Sequence, residues 1–207
     1  MNLQTKAVVT FNGFIILVCL CMGLLGYRSA DNGFGVSLQM KAVSNVQSVM
    51  EIIQYRYPGD WHIENGSDLY KGDTKINGNN EIVDFLGKVC EGHVTIFFND
   101  TRIATTVKDS SGQRSIGTKA SEKIINEVLK GGKSYSGVAE VLGEDYQSAY
   151  EPIKNSAGNI VGMVFVGLPA KSLDHIQKNF IMSIALSMAV IVLVLGIMFE
   201  LKFSRQR

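Results

Sequence analysis

The stretch His93–Val107 reads HVTIFFNDTRIATTV, in which two runs of β-branched and aromatic residues flank the turn residues Asn99 and Asp100. A two-residue turn there predicts a β-hairpin with four cross-strand pairs, Phe98–Thr101, Phe97–Arg102, Ile96–Ile103 and Thr95–Ala104. Alternation then gives an apolar face with Val94, Ile96, Phe98, Ile103 and Val107, and a polar face with His93, Thr95, Phe97, Arg102, Ala104 and Thr106. We expect the apolar face to lie on the core.

A long amphipathic helix is expected before this hairpin. After Asp31 and Asn32, apolar residues recur at helical spacing, and Val46 and Val49 lie beside the stripe that they form: Val36, Met40, Val43, Met50, Ile53 and Tyr57. The helix should end near Pro58-Gly59, which cannot continue it.

The remaining pattern alternates between short strands and short helices. It predicts a hairpin over Trp61–Lys71 around Asn65-Gly66, a helix over Glu81–Val89, a helix over Ser121–Lys130, strands over Tyr135–Leu142, Asp145–Lys154 and Asn159–Leu168, and a short helix over Lys171–Lys178. This order favours an α+β fold built on an antiparallel sheet.

Two apolar segments, Ala7–Tyr27 and Asn179–Phe199, contain no Asp, Glu, Lys or Arg, and each is long enough as a helix to cross roughly 30 Å of hydrocarbon. Basic residues near the short tails favour the cytoplasm for 1–6 and 200–207, which places 28–178 outside the cell as one domain. A cleaved signal peptide over 1–30 is the alternative. The apolar run exceeds a usual signal core and a good A-x-A site is missing, so an uncleaved anchor is favoured.

Composition argues against several function classes. The chain has a net charge of +1, so nucleic-acid binding has no electrostatic support. The three histidines do not complete a metal site, because Cys90 and His93 have ligand spacing but no second pair accompanies them. We expect no metal, no cofactor and no enzymatic activity, since neither a phosphate loop nor a nucleophile motif is present.

Two groups of residues could form a ligand pocket. Arg102, flanked by aromatic and hydroxyl residues, could bind a carboxylate through two hydrogen bonds, with Arg114 and Lys154 reaching the same region. An arginine at a sheet edge that reaches water fits the spacing as well and is favoured by spacing alone. Tyr146, Ser148, Tyr150 and Lys154 share one face of their strand, which suits either a pocket wall or a half-wet surface.

Several motifs in order resemble a known family. They are, in chain order, YPGDWHIENGSDLYKGDTKIN, then TRIATTVKDSSGQRSIGTKAS from Thr101, and VLKGGKSYSGVAEVLGEDYQSAYEPIKNSAGNIVGMVFVG from Val128. Over Tyr55–Leu168 the chain resembles the single Cache sensor domains of bacterial methyl-accepting chemotaxis receptors. The resemblance implies a PAS-like extracytoplasmic domain with a long N-terminal helix on one side of an antiparallel sheet and a small-molecule pocket on the other.

The resemblance also implies roles for particular residues. Arg102 matches the arginine of an R-x-x-T strand and is expected in the pocket, and Arg114 and Thr118 match a G-x-R-x-x-G-T turn beside it. Similar citrate and C4-dicarboxylate sensors have basic residues just before the position equivalent to Pro152. This chain has Ser148 and Tyr150 there. A mono-carboxylate or an amino acid is therefore the expected ligand.

The expected function is a sensor in the plasma membrane that binds a small metabolite and signals through its second span. Family members continue into a HAMP linker and a methylated hairpin, whereas this sequence stops at Arg207, so we expect the output to pass through a homodimer or a heterodimer with a full-length receptor. The alternative is a structural protein that dimerises with such receptors and binds no ligand.

Overall fold

The computed structural model describes residues 3–169 and 174–204 and divides the chain into two compact units. One unit combines Met1–Phe34 with Leu173–Arg207, and the other, which we call the α/β unit, is Gly35–Ser172. The first unit is helical, formed by the start of helix α1 (Leu3–Arg56) and by helix α4 (Asp174–Ser204).

Two helical stretches are long and apolar enough to cross a membrane. They are Gly13–Arg56 and Lys178–Ile197, each of which contains an apolar 18-residue window, with mean hydropathies of 1.8 and 2.8. Large apolar side chains in both, such as Leu25 and Leu186, are exposed, as expected for residues that would contact lipid. Of the predicted helix Lys171–Lys178, the residues from Asp174 onward belong to α4, and 171–173 lie outside the described residues.

In the α/β unit, α1 packs one side against the sheet and ends at Arg56, just before Pro58, as predicted. Its fully buried positions are Ala42, Val46, Val49 and Ile53, whereas Val36 and Met40 are 60% and 69% exposed. The predicted stripe is thus confirmed from Val43 onward, since Val43, Met50 and Tyr57 pack against the core that contains Ile53, but Val36 and Met40 lie outside it.

The segment after α1 forms a small three-stranded antiparallel sheet. The predicted hairpin is confirmed as strands β1 (Trp61–Glu64) and β2 (Asp68–Lys71), and a third strand, β3 (Thr74–Lys75), was not predicted. Asn65 and Gly66 both have positive φ values, 51° and 74°, which Asn-Gly tolerates in a tight hairpin turn. Helix α2 (Asn80–Cys90) follows, capped by the Asn79 side chain, which accepts a hydrogen bond from the Ile82 N–H.

The main sheet has five antiparallel strands in the order β5-β4-β8-β7-β6. Their bounds are β4 His93–Phe98, β5 Thr101–Thr105, β6 Tyr135–Val141, β7 Glu144–Lys154 and β8 Ile160–Pro169. The predicted α+β fold on an antiparallel sheet is confirmed, and each predicted strand lies within a residue or two of its observed bounds.

The predicted register of the β4–β5 hairpin is right near the turn and wrong beyond it. Phe98 pairs with Thr101 and Phe97 with Arg102, but a bulge then shifts the register, so that Ile96 pairs with Ala104 and Thr95 with Thr105. The extra residue reverses the alternation. Ala104 therefore joins the core beneath the helices, and Val107 lies on the opposite face.

Both faces of the sheet are buried. The helix-side face packs on α1 and α2 through a cluster that includes Ile53, Leu86, Ile96, Val164 and Val166. The opposite face, which we call the aromatic face, packs under the segment 120–130 through a cluster that includes Phe97, Tyr135, Tyr146, Tyr150 and Phe165. The segment predicted as the helix Ser121–Lys130 begins as α3 (Glu122–Ile124) and continues as a π-helix (Ile125–Lys130).

Candidate functional site

Arg102 is a buried cation on the aromatic face. It lies on β5 opposite Phe97, and its guanidinium carbon is 5.0 Å from the centre of that ring. The residue is only 5% exposed. The interpretation that this arginine reaches water at a sheet edge is therefore wrong.

The guanidinium of Arg102 has only neutral hydrogen-bond partners among the described residues. Its Nη1 donates to the Thr118 hydroxyl at 2.8 Å and to the Lys119 carbonyl at 3.2 Å. Its Nε is buried and has no hydrogen-bond partner among them. A buried arginine is ordinarily paired with a carboxylate and fully hydrogen-bonded, so an uncompensated charge with an orphaned donor indicates a place for an anion.

The connection that follows β5 holds Arg102 in position. The backbone of 117–118 pairs with that of Arg102 in both directions, through Arg102 N–H to Thr118 carbonyl at 2.9 Å and Gly117 N–H to Arg102 carbonyl at 2.8 Å. Gly117 has φ +83°, a conformation that a side chain would strain. The Thr118 hydroxyl, which accepts the hydrogen bond from Nη1, also donates to the Ser115 carbonyl at 2.7 Å, and this second bond fixes the orientation of the hydroxyl.

Aromatic rings surround Tyr150 on the neighbouring strands. Its ring centroid lies 4.9 Å from that of Phe165, 5.9 Å from that of Tyr135 and 6.4 Å from that of Phe97. The Phe165 ring lies over Gly167, where an added Cβ would come within 2.3 Å of it. The wall beside Arg102 is thus apolar and aromatic, apart from the phenol groups.

The electrostatics agree with this geometry. Burial lowers the pKa of Arg102, but the guanidinium is basic enough to stay charged. Burial strongly raises the pKa of Tyr150, an effect that the nearby Arg102 charge opposes, so this phenol remains neutral. The Tyr150 phenol opposes this lowering of the Arg102 pKa, and Arg102 forms no ion pair with a carboxylate among the described residues.

The structure brings together three of the six predicted site residues. Arg102 contacts Thr118 directly and lies close enough to Tyr150 for its charge to oppose the rise in the pKa of that phenol. Tyr146 is on the same face, 4% exposed, but further along β7, where its ring contacts His93 and Phe165 at centroid distances of 5.6 and 6.3 Å.

Arg114 and Lys154 lie apart from this cluster. Arg114 donates to the Thr105 carbonyl at 2.7 Å and forms an ion pair with Asp84 of α2 at 2.8 Å. Its charge is therefore already neutralised. Lys154 is exposed at the end of β7, beyond a shift in register, and pairs with Ile160.

Sequence reasoning missed several residues of the site. It placed Phe97 opposite Arg102 but gave it no role, and it did not connect Phe165 or Tyr135 to the same wall. Outside the site, on the small sheet, it also missed Lys71, a lysine only 1% exposed that donates to the Gly59 carbonyl and lies 5.8 Å from the Trp61 ring centre. The alternation of β2 was the available signal, since Leu69 and Lys71 share a face.

No cluster that could hold a metal ion occurs among the described residues. Cys90 is buried, and burial raises the pKa of its thiol. His93 contacts the Thr106 hydroxyl at 3.3 Å and the Tyr146 ring. The side chain of His175 is outside the described part of the chain.

A family model described as single cache domain 3 matches residues 74–180, which is more than half of the chain and includes β4 to β8. The chain belongs to this Cache family. The predicted resemblance to single Cache sensor domains is thus confirmed, and the match covers Arg102, Thr118 and Tyr150.

Two solved structures resemble this Cache protein at low identity. The sensor domain of DcuS from E. coli has 14% identity and a TM-score of 0.44, over 70% of this chain and 97% of that one. The ligand-binding domain of the Campylobacter jejuni chemoreceptor Tlp3, in complex with L-valine, has 14% identity and a TM-score of 0.33, over 84% of this chain and 64% of that one. No curated protein matches the chain.

Proposed function

We propose that this protein is a two-span membrane sensor whose extracytoplasmic Cache domain, residues 28–178, binds a small mono-anionic metabolite at Arg102. The observation that carries the proposal is the buried guanidinium of Arg102, which has no carboxylate partner within the described ranges and whose Nε makes no hydrogen bond to them. Membership of the Cache family and two apolar helices at the chain ends support the sensor role.

In this proposal the ligand carboxylate neutralises Arg102, with Thr118 orienting the arginine and Tyr150 forming the wall. Tyr146 lines the far end of the same face, whereas Arg114 braces β5 against α2 from outside the site and Lys154 remains in solvent. The mono-carboxylate or amino acid expected from the sequence fits a single buried cation better than a dicarboxylate, which would need a second.

Signalling requires that the ligand bind one arrangement of the domain better than another. A tenfold difference in affinity supplies only about 1.4 kcal/mol, which is enough to shift the balance between two packed arrangements. We propose that the second span passes this shift to a partner, either a second copy or a full-length chemoreceptor.

Titration of the full chain in lipid nanodiscs tests this proposal. Calorimetry with a panel of propanoate, 4-methylpentanoate, L-leucine and succinate should detect binding of at least one monovalent carboxylate, and Arg102→Lys should weaken it about tenfold or more by removing the paired hydrogen bonds. Arg114→Lys is the matched control and should leave the affinity unchanged. Binding that is equal in the wild type and in Arg102→Lys would remove Arg102 from the site.

The interaction role without a ligand has an observation of its own. Tyr55 is 92% exposed, and with Phe85, Ile52, Glu51 and Arg56 it lines a groove of about 560 Å³ on the side of α1. Crosslinking of the Tyr55→Cys variant in membranes distinguishes ligand sensing from a role as an interaction partner alone. A partner-only role predicts crosslinked complexes that no member of the carboxylate panel changes.

A further inference from the structure

The charged side chains at the aromatic face indicate which anion it can bind, and they are positively charged. Besides Arg102, an exposed lysine of α3 borders this face: Lys123, whose Nζ donates to the Tyr135 hydroxyl at 3.1 Å and lies 4.7 Å from the centre of that ring. Tyr135 in turn packs against Tyr150. One buried cation, Arg102, and one exposed cation, Lys123, therefore border the same group of aromatic rings.

Three carboxylates on the neighbouring segments are engaged elsewhere or exposed. Asp100 pairs with the Lys119 ammonium at 2.9 Å and accepts a hydrogen bond from the Thr101 hydroxyl at 2.8 Å. Glu151 accepts a hydrogen bond from the Ser134 hydroxyl at 2.7 Å. Glu127, which acts on Lys123 from the next turn of the same segment, is exposed.

An amino-acid ligand carries an ammonium group beside its carboxylate, and that group loses its hydration on binding. Burial of an unpaired charge is costly, so a site for an ammonium needs a carboxylate or several carbonyl groups that face it. The groups in contact with Arg102 are instead the Phe97 ring, the Tyr150 phenol and the Thr118 hydroxyl, which already donates to the Ser115 carbonyl. The one carbonyl that accepts from its side chain among the described residues, that of Lys119, is already occupied by Nη1.

The guanidinium itself indicates the shape of the anion. Both hydrogen bonds that it makes to described residues come from Nη1, so the edge formed by Nε and Nη2 is the one left for a ligand. The two N–H groups of this edge are parallel and match the two oxygens of a carboxylate. Thr118 and Lys119 can therefore keep their contacts while a carboxylate binds.

We infer that the ligand is a carboxylate with an apolar or aromatic body and no ammonium group, bound to the Nε and Nη2 edge of Arg102. This inference rests on the proposed function and narrows it from two ligand classes to one. The aromatic rings of Phe97, Tyr150 and Phe165 receive the body of the ligand, in keeping with the apolar character of most ligand pockets.

Matched pairs of compounds test the inference on the full chain in lipid nanodiscs. Calorimetric titrations with 4-methylpentanoate against L-leucine, and with 3-phenylpropanoate against L-phenylalanine, change only the ammonium group within each pair. The acid without the ammonium group should bind at least tenfold more tightly in at least one pair, and Arg102→Lys should reduce that preference together with the affinity. Lys123→Gln, which removes the exposed cation, should narrow the preference without abolishing binding.

The outcomes separate this inference from the proposed function. Equal or tighter binding of the amino acid in both pairs would overturn the inference and leave a sensor that binds at Arg102. Absence of binding by all four compounds and by the wider carboxylate panel, with circular dichroism showing a folded protein, would overturn both.

Discussion

The two faces of the five-stranded sheet are both buried, yet they treat polar groups in opposite ways. The helix-side face is covered by α1 and α2 through aliphatic side chains such as Ile53, Leu86 and Val164. The aromatic face buries the hydroxyls of Thr95, Thr105 and Ser148 together with the charge of Arg102. The first face is the aliphatic interior of a stable core, whereas the second retains a charge that has no counter-ion among the described residues.

The largest effect on stability should come from the helix-side face. Ile53 is 1% exposed beneath α1, and Ile53→Ala should lower the free energy of unfolding by about 2–5 kcal/mol, since it removes buried methyl groups and leaves a cavity. Urea unfolding of the α/β unit within the full chain can be followed by Trp61, the only tryptophan, which is 7% exposed.

Ile116→Ala provides the control for this prediction, because Ile116 is 46% exposed. Its cost should stay within about 0.5 kcal/mol, as for most surface substitutions. Similar costs for the two substitutions would contradict the assignment of the main core to the helix side.

Removing the buried charge of Arg102 should change the free energy of unfolding much less than Ile53→Ala does. Arg102→Met keeps much of the side-chain length and removes an unpaired cation, while it leaves the Thr118 hydroxyl and the Lys119 carbonyl without a donor. These terms oppose each other, so the free energy of unfolding should change by no more than about 1 kcal/mol in either direction. A loss of 3 kcal/mol or more in the same urea titration would show that Arg102 is a structural clamp, and would weaken the contrast between the faces.

The smallest expected effect on stability is its dependence on pH through His93. Burial lowers the pKa of His93 from its ordinary value of 6.5, although Thr106 and Glu144 oppose the shift, and the Tyr146 ring lies against the imidazole. Below about pH 6.5 the unfolded chain then binds a proton that the folded domain resists, so stability should fall as the pH falls through this window.

His93→Gln should flatten this acid-side loss of stability, by a fraction of the roughly 1.4 kcal/mol that one pKa unit represents. Urea titrations at pH 7.5, 6.5 and 5.5 measure the difference. An identical pH dependence in the wild type and in His93→Gln would show that His93 titrates alike in the folded and unfolded states.

Local patterns in the sequence predicted most of the fold. Alternation identified each strand of the main sheet, and Asn65-Gly66 and Asn99-Asp100 marked two hairpin turns that the structure confirms. The bulge in β5 was not visible, because inserting one residue into one strand depends on how the sheet twists against the helices rather than on local residue preference. The π-helix was missed for a related reason, since its apolar spacing satisfies an ordinary helix equally well.

The candidate site was predicted less completely. Arg102 and Tyr150 are brought together only by the pairing of β5, β4, β8 and β7, and local periodicity contains no information on that order. Arg114 was expected beside Arg102 because its loop could reach the same region and because it matches the G-x-R-x-x-G-T turn of the Cache family. The Asp84 carboxylate on α2, which pairs with Arg114, could not be anticipated from spacing.

The most direct test of the central claim observes the orphaned Nε of Arg102 itself. In a proton–nitrogen correlation spectrum of the full chain in nanodiscs, the Nε–H resonance is assigned by its disappearance in Arg102→Lys. Addition of 4-methylpentanoate or 3-phenylpropanoate should move this resonance downfield in a saturable manner, as expected for a new charge-assisted hydrogen bond, while the Nε–H of Arg114 stays in place. Saturable binding of either compound that leaves the Arg102 Nε–H resonance unmoved would contradict the account.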